Sequence, residues 1–503
     1  MTGPFDSSGI EVGADGLRRY TGLPRNLVTM LRTVVERFPE RTAVVELGGP
    51  SLTYAQLWER SMRVAGGLRD AGVRVGDRVA VQLPNGVDWA LAFWGAQLAG
   101  AVAVPMNTRL APVESQFILL DAGAAYVVRP GVPLPDGEPG EIPDRQHIDV
   151  AALFYTSGTT GRPKGAMTTH ENFLTNVENV IRCRELPPDP DQATLISVPL
   201  FHVTGCNSQF LTQLAVGGTS VVMPRFDAAE FLRAIPEHRI TLLTSVPTVY
   251  ELVLRHPDLA TTDISSVRTL SYGGAPIAPA LVHRLLEAFP RARLGNGFGL
   301  SETAGLATFL PHDYAAEHAD AVGFPTPVND VRLDGPGDVG ELLVRGPNVV
   351  AGYWNDPVRT EDTFVDGWLH TGDIARIDDG VTYTDMVRIV DRAKDMIDRG
   401  GENVYSVEVE NVLAAHPDVL EVAVVGVPDP VMGEKVGAVV LPRPGVPADV
   451  LVPDLIDFAR TRLADFKVPQ FVRVVGGPLP RNAGGKLLKA PLRAAEGWVA
   501  VAG

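Results

Sequence analysis

An apolar run, Val150-Ala151-Ala152-Leu153-Phe154, opens straight onto the segment Tyr155-Thr156-Ser157-Gly158-Thr159-Thr160-Gly161-Arg162-Pro163-Lys164-Gly165. The run reads as a buried strand, so the chain must reach the end of a sheet and expose backbone N–H groups, hydroxyls and an ammonium there. Those groups suit a polyphosphate, whose oxygens the donors can cup while the lysine offsets charge. A nucleoside triphosphate is therefore the first ligand to expect. The segment is not a Walker A loop, because Lys164 is followed by Gly165 and Ala166 where that loop needs Ser or Thr.

The surrounding chain alternates in the same style. Asp77 to Leu83 reads as a strand, Gly86 to Leu98 as a helix and Ala101 to Pro105 as the next strand, a βαβ unit. Similar units span Thr194 to Met223 and Thr241 to Ser271, and the Pro, Gly and Asp between Arg129 and Arg145 suit an exposed connection into the loop. Beyond a charged stretch at 388–395, strands at Glu421 to Val427, Val436 to Leu441 and Phe471 to Val475 with a helix from Asp449 to Ala464 form a compact α+β unit. The expected organisation is a flexible Gly-rich arm over residues 1–25, a large domain over 26–391 and a small one over 392–503.

At 503 residues the chain exceeds one ordinary core. Its 45% apolar and 21% charged residues are those of a globular protein, and a net charge of −16 without a dominant basic face excludes nucleic acid as the expected partner. Cys183 and Cys206 read as reduced thiols. No basic region precedes an apolar core at the N-terminus, so the expected residence is cytoplasmic. The most apolar stretch, Trp89 to Met106, carries Gln97, Gly95, Gly100 and Pro105 and reads as a buried helix and strand, leaving at most peripheral membrane contact.

Seven motifs in order carry a resemblance: the 155–165 loop, then Tyr272-Gly273-Gly274-Ala275-Pro276, Gly297-Phe298-Gly299-Leu300-Ser301-Glu302-Thr303, Gly367-Trp368-Leu369-His370-Thr371-Gly372-Asp373, Asp391-Arg392-Ala393-Lys394-Asp395, Arg399-Gly400-Gly401-Glu402-Asn403-Val404-Tyr405 and Pro480-Arg481-Asn482-Ala483-Gly484-Gly485-Lys486. From about residue 30 to 493 the chain resembles the adenylate-forming superfamily, in its acyl-CoA synthetase branch. The resemblance implies an α/β fold: a large N-terminal domain of covered, mostly parallel sheets plus a β-barrel-like subdomain, with a small mobile α+β C-terminal domain. It also implies two reactions. A carboxylate attacks the α-phosphorus of ATP to give acyl-adenylate and pyrophosphate, and the thiol of CoA then displaces AMP.

The resemblance assigns roles by position. Lys486 would stabilise charge during adenylation, and Glu302 would hold Mg2+ with Thr156. Thr156, Ser157, Gly158, Thr159, Thr160, Gly161 and Lys164 would hold the phosphates. Gly273, Gly274, Ala275, Asn296, Gly297, Phe298, Gly299, Ser301 and Arg388 would line the nucleotide, with Phe298 against adenine where tyrosine is usual. Asp373 and Arg392 would grip the ribose, a role for which a carboxylate's two acceptor oxygens are suited. Lys394 matches the hinge, and Gly400, Gly401, Glu402 and Asn403 the thiol channel. Ser406 stands where proline is usual, which would loosen that loop.

His202, Cys206, Gly273, Gly305 and Leu306 resemble acyl-site positions, with His202 as a gate or carboxylate neighbour. The apolar Phe210, Leu211, Leu214 and Ala215 favour a medium- or long-chain fatty acid over a dicarboxylate, which would need a buried cation. An acyl carrier protein as thiol acceptor, a catalytically idle acyl-adenylate-binding relative and a homodimer stay open as alternatives.

Overall fold

The computed structural model describes residues 4–156, 162–187, 191–335, 337–379, 384–400, 402–481 and 487–501. Two sheets of mostly parallel strands carry the N-terminal part. The larger has nine strands, running from an edge at Phe324–Pro325 through Gly305–Leu310, Arg293–Leu300, Thr269–Gly273, Leu242–Ser245, Ala193–Ile196, Thr219–Val222 and Thr42–Glu46 to Ser51–Thr53. Its six inner strands are parallel, and antiparallel pairs close both edges. The second sheet orders Ala124–Val128, Arg78–Val81, Val102–Pro105, Val150–Thr156 and Lys164–Thr169. The strand predicted at 150–154 is thus present and two residues longer.

Helix Val87–Leu98 is buried at every position but Asp88, as a helix packed inside the fold must be. Trp89 stacks on Phe93 at 5.2 Å and meets the edge of Phe210 at 6.0 Å, so the apolar stretch at 89–106 is core. No described helix is long and apolar enough to cross a membrane. The connection at 129–145 lies along helix Tyr54–Asp70, where a Cβ on Gly66 would come within 2.3 Å of the Glu138 carbonyl oxygen. Glycine is what lets the two backbones touch.

A third, antiparallel sheet contains Asp330–Asp334, Val339–Arg345, Phe364–Val365, Trp368–Asp379 and Thr384–Arg392. A fourth forms the C-terminal unit. There the long hairpin Val419–Asp429 and Gly433–Pro442 is flanked by Phe471–Val474 in parallel and by helix Ala448–Arg460, with a core of its own around Val424, Val436, Ala438 and Leu455. The α/β fold class with a separate C-terminal domain is therefore the observed one.

The opening arm differs from expectation. Ile10–Val12 and Arg18–Tyr20 form an antiparallel hairpin docked on the body. Arg18 pairs with Asp330 at 2.7 Å, Arg19 with Glu171 at 2.8 Å, and the buried Tyr20 hydroxyl donates to Asn179 Oδ1 at 2.7 Å. Composition suggested a loose arm, but three consecutive long polar side chains supply anchors that composition does not reveal.

Strand Thr384–Arg392 joins the two parts. Arg392 turns toward Asp373 in the N-terminal part, while Asp391, its buried neighbour, is held by Ser406 from the C-terminal part. Alternation along a strand sends these adjacent side chains to opposite faces. Ser406 is fully buried and donates to Asp391 through both its N–H and its hydroxyl, the latter at 2.9 Å. Lys489 Nζ donates to the Ser406 hydroxyl at 2.6 Å and pairs with Glu410 at 2.7 Å. Burial raises the Asp391 and Glu410 carboxyls above their ordinary values, against the pull of Lys489.

Serine in place of proline therefore ties this junction, where a loosened one was expected. Ser406→Ala is expected to lower stability by about 1–2 kcal/mol, and Ser406→Pro, which deletes both donors, by more. Urea unfolding measures this, and a Ser406→Pro variant as stable as the parent would contradict it.

Candidate active site

Thr156 and Lys164 face each other across the antiparallel strands that flank the expected phosphate loop. Ser157, Gly158, Thr159, Thr160 and Gly161 lie outside the described residues, as do Gly401 and Lys486. The Thr156 hydroxyl oxygen is buried and has no partner among the described residues.

Lys164 does not point into solvent. Its ammonium lies 3.1 Å from Glu302 Oε1 and 4.0 Å from the centre of the Tyr353 ring, and it donates to the Tyr353 hydroxyl. That hydroxyl in turn donates to Glu302 Oε1 at 2.7 Å. Burial, with the Glu302 charge beside it, pushes the Tyr353 phenol far above its ordinary value, so it stays protonated and remains a donor. Lysine, tyrosine and glutamate thus form one hydrogen-bonded charge cluster.

Local structure fixes each member. Glu302 sits in a 3-10 turn, Ser301–Thr303, after strand Arg293–Leu300, and the turn closes through Ala304 in the left-handed region. Asn348 clamps it by donating to the Thr303 and Leu306 carbonyls, both at 2.9 Å. Tyr353 is strapped to the lysine strand because Trp354 N–H donates to Gly165 and Met167 N–H to Gly352. Sequence reasoning missed Tyr353, although a Gly-Tyr-Trp run after an apolar strand was a readable sign of a fixed aromatic.

The glycine motifs converge beside this cluster. A Cβ on Gly273 would lie 2.2 Å from the Gly297 carbonyl oxygen, and one on Gly299 would run into Gly305. Gly274, with φ of +74° and only Val246 Cγ1 near its Cβ position at 3.8 Å, has the freedom a ligand contact would use. Phe298 is half-buried, packed against a cluster that includes Ala307, Leu342 and Ala375. Ala275 and Ser301 stand half-buried at the ends of their strands.

Across the antiparallel sheet, Asp373 and Arg392 are register partners with Nε to Oδ1 at 2.9 Å, and Asp373 is buried. Two expected nucleotide contacts are otherwise engaged. Arg388 is held by Asp320, by Asp378 at 3.1 Å and by His318 at 3.0 Å, so its fork of donors is spent on the protein. The Asn296 amide nitrogen donates to the Ala321 carbonyl at 2.9 Å.

On the acyl side, His202 precedes the short helix Val203–Gly205 with its ring 4.5 Å from Phe201. Burial pulls its imidazole down to about 4, so it is neutral near pH 7, and its Nε2 has no partner among the described residues. Cys206 opens a π-helical turn, Cys206–Leu211, and burial raises its thiol well above the ordinary range. Such turns rotate side chains out of helical register, often at functional sites.

Phe210, Leu211 and Leu214 are fully buried in the core, with Phe210 against Trp89. The opposite side of the turn is polar: Asn207 donates to the Ala304 carbonyl at 2.6 Å, and Asn176 bridges the Ser208 hydroxyl at 3.4 Å and the Leu306 N–H at 2.6 Å. A Cβ on Gly305 would meet Asn176 at 2.5 Å. The sequence signal was Asn172, Asn176 and Asn179, which recur on one helical face among apolar residues.

At the hinge, Lys394 is exposed and its carbonyl accepts from Arg493 at 3.3 Å. Glu402 and Asn403 lie on a hairpin paired with Ile397–Arg399, and Gly400 takes φ of +64° beside Met432. His370 pairs with Glu341 at 2.9 Å, and the same carboxylate accepts from Gly372 N–H at 2.8 Å, which braces the turn before Asp373.

Comparison with known proteins agrees with this geometry. The AMP-binding enzyme family matches residues 31–141 and 130–354, and the AMP-binding enzyme C-terminal domain matches 408–486. A feruloyl-CoA synthase from Amycolatopsis sp is 40% identical over 484 residues, 90% of this chain and 96% of that protein. A long-chain-fatty-acid–CoA ligase of Mycobacterium tuberculosis is 35% identical over 515 residues, 93% of this chain and 98% of that one. ATP-bound MatB from Rhodopseudomonas palustris superposes with a TM-score of 0.84 at 30% identity, over 93% of this chain and 98% of that one. The chain belongs to the AMP-binding enzyme family, in the acyl-CoA synthetase branch of the adenylate-forming superfamily.

Proposed function

We propose that the protein is an ATP-dependent acid–thiol ligase that converts a carboxylic acid to its acyl-adenylate and then to the CoA thioester. The observation that carries this reading is the Lys164–Tyr353–Glu302 cluster between the phosphate-loop strands and the glycine strands. Attack of a carboxylate on ATP brings two anions together, so the main demand is preorganised positive charge at the phosphates. Lys164, held over an aromatic face and beside a carboxylate, is placed to pass its charge to entering phosphate. Glu302 is then released for a cation.

Magnesium arriving with ATP suits the donors present, a buried carboxylate and the unpaired Thr156 hydroxyl, both hard oxygen ligands. Bound there it would screen the phosphate charge. Asp373 would accept hydrogen bonds from the ribose hydroxyls with Arg392 steadying it. His202, neutral and with an unpaired nitrogen, would neighbour the reacting carboxylate. Lys486, carried by the C-terminal domain, would stabilise the charge built up in adenylation, and the 400–403 loop would line the thiol path in the second step.

The acid in this reading is compact and polar at its far end, of the hydroxycinnamic kind, because polar side chains border Leu306 while the neighbouring apolar ones are core. The feruloyl-CoA synthase relative supports it. A fatty acid is the second reading, supported by the ligase relative from Mycobacterium tuberculosis.

With ATP, magnesium and CoA, a panel of hydroxycinnamic, benzoic, medium-chain and long-chain fatty acids should give AMP, pyrophosphate and thioester, fastest with the hydroxycinnamic acids. Thioester formed only on an acyl carrier protein would refute CoA as acceptor, and turnover confined to long-chain acids would refute the compact acid. Lys486→Ala should slow adenylation about a hundred- to a thousandfold while sparing thiolysis of supplied acyl-adenylate. Equal loss of both steps in stopped assays would contradict the division of labour.

A further inference from the structure

Arg184 is a buried guanidinium with no carboxylate partner among the described residues. It stands just past helix His170–Cys183 and is 9% exposed. Among the described residues its guanidinium makes one long hydrogen bond, Nη1 to the Ser208 carbonyl at 3.5 Å, and its Nε has no partner. Among the described residues the ionisable groups that act on it are Tyr250 and Cys183. Burial lowers its pKa to about 10, which leaves it charged near neutral pH. A buried charge of this kind is costly unless something compensates it.

Its position relates it to the acyl site. Asn176 on the same helix holds Leu306 N–H and faces Gly305, and Arg184 lies two turns further along, roughly 12 Å away along the helix axis. Between the two levels, Ser208 on the π-helical turn touches both Asn176 and Arg184. Cys183, beside Arg184, packs in one cluster with Leu306 and Leu242. Thr244, two residues on from Leu242, shares its face of the sheet, and Ser271 is Thr244's register partner. Both hydroxyl oxygens are buried without a partner among the described residues, as are both amide atoms of Gln209.

We infer that Arg184 is a specificity-determining residue that reads an oxygen acceptor, a phenol or a second carboxylate, at the far end of the acid whose near carboxylate is activated beside His202. The inference rests on the reading of this chain as an acid-activating ligase and deepens it. A guanidinium two helical turns past Asn176 offers donors in a fixed fork, and the Thr244 and Ser271 hydroxyls offer further donors on the facing sheet. An acid without a far-end oxygen would leave these donors unpaired, and sites built to bond a substrate oxygen discriminate against analogues that lack it. The alternative role for Arg184 is to cap carbonyls at the end of its helix, which a cation there also does.

The test compares acids in matched pairs, 4-hydroxycinnamic against cinnamic acid and a straight-chain dicarboxylic acid against its monocarboxylic twin, on the full-length protein and on Arg184→Met and Arg184→Lys. ATP–pyrophosphate exchange with any acid tests the ligase reading separately. The parent should prefer one oxygen-bearing member, and whichever pair shows the preference identifies phenol or carboxylate as the group read. Arg184→Met should lower kcat/KM for that member about ten- to a hundredfold, leave its oxygen-free twin within a few-fold, and leave the KM for ATP unchanged; Arg184→Lys should recover part of the preference. A parent indifferent to both pairs, or an Arg184→Met variant that loses stability and slows all four acids alike, would overturn the inference.

Discussion

The proposed adenylation centre depends on one short contact set, the Lys164 ammonium and the Tyr353 hydroxyl both on Glu302 Oε1. An isolated buried carboxylate would be costly, and an isolated lysine beside a phosphate loop would be free to swing. Pairing solves both problems and aligns three elements of different sheets. The lysine strand, the turn after strand Arg293–Leu300 and the segment at 352–354 are locked where a triphosphate would have to bind. In the proposed reading the same pairing would make the centre responsive, because an incoming polyphosphate would compete with Glu302 for the lysine while a cation would compete with the lysine for Glu302.

A second constraint acts at the junction of the two parts. Strand Thr384–Arg392 ends with adjacent side chains committed in opposite directions, Arg392 to Asp373 and Asp391 to Ser406. Any rotation of the C-terminal part about this point must keep or exchange the buried Asp391–Ser406–Lys489–Glu410 chain. The hydroxyl at position 406 gives the junction a definite hydrogen-bonded state, where a proline would give only a fixed backbone angle.

Much of this was legible in the sequence and some was not, for physical reasons. The βαβ unit at 77–105 follows from hydrophobic runs and glycine punctuation, and the observed strands and helix fall within two residues of it. Glu302, Lys164, Asp373 and Arg392 were named from motifs, and the structure brings the first two together and the last two together. Arg388 and Asn296 were named from the resemblance, and the structure shows partners from distant segments that it did not suggest: Asp320 holds Arg388, and the Asn296 amide nitrogen donates to Ala321. The π-helical turn was invisible because one extra residue in a turn leaves the composition unchanged while it rotates Phe210 and Leu211 into the core. Arg184 escaped notice because an arginine after a helix is usually solvated, and only burial distinguishes it.

The most direct test of the account is a double-mutant cycle on Lys164 and Glu302, read by acid-dependent ATP–pyrophosphate exchange at saturating magnesium. If the two residues act as one unit, Lys164→Met and Glu302→Gln should each lower the exchange rate strongly, and the double variant should lose far less than the product of the two effects. A double variant whose loss equals that product would mean that the two residues act independently, and the cluster would then be a contact without a shared role.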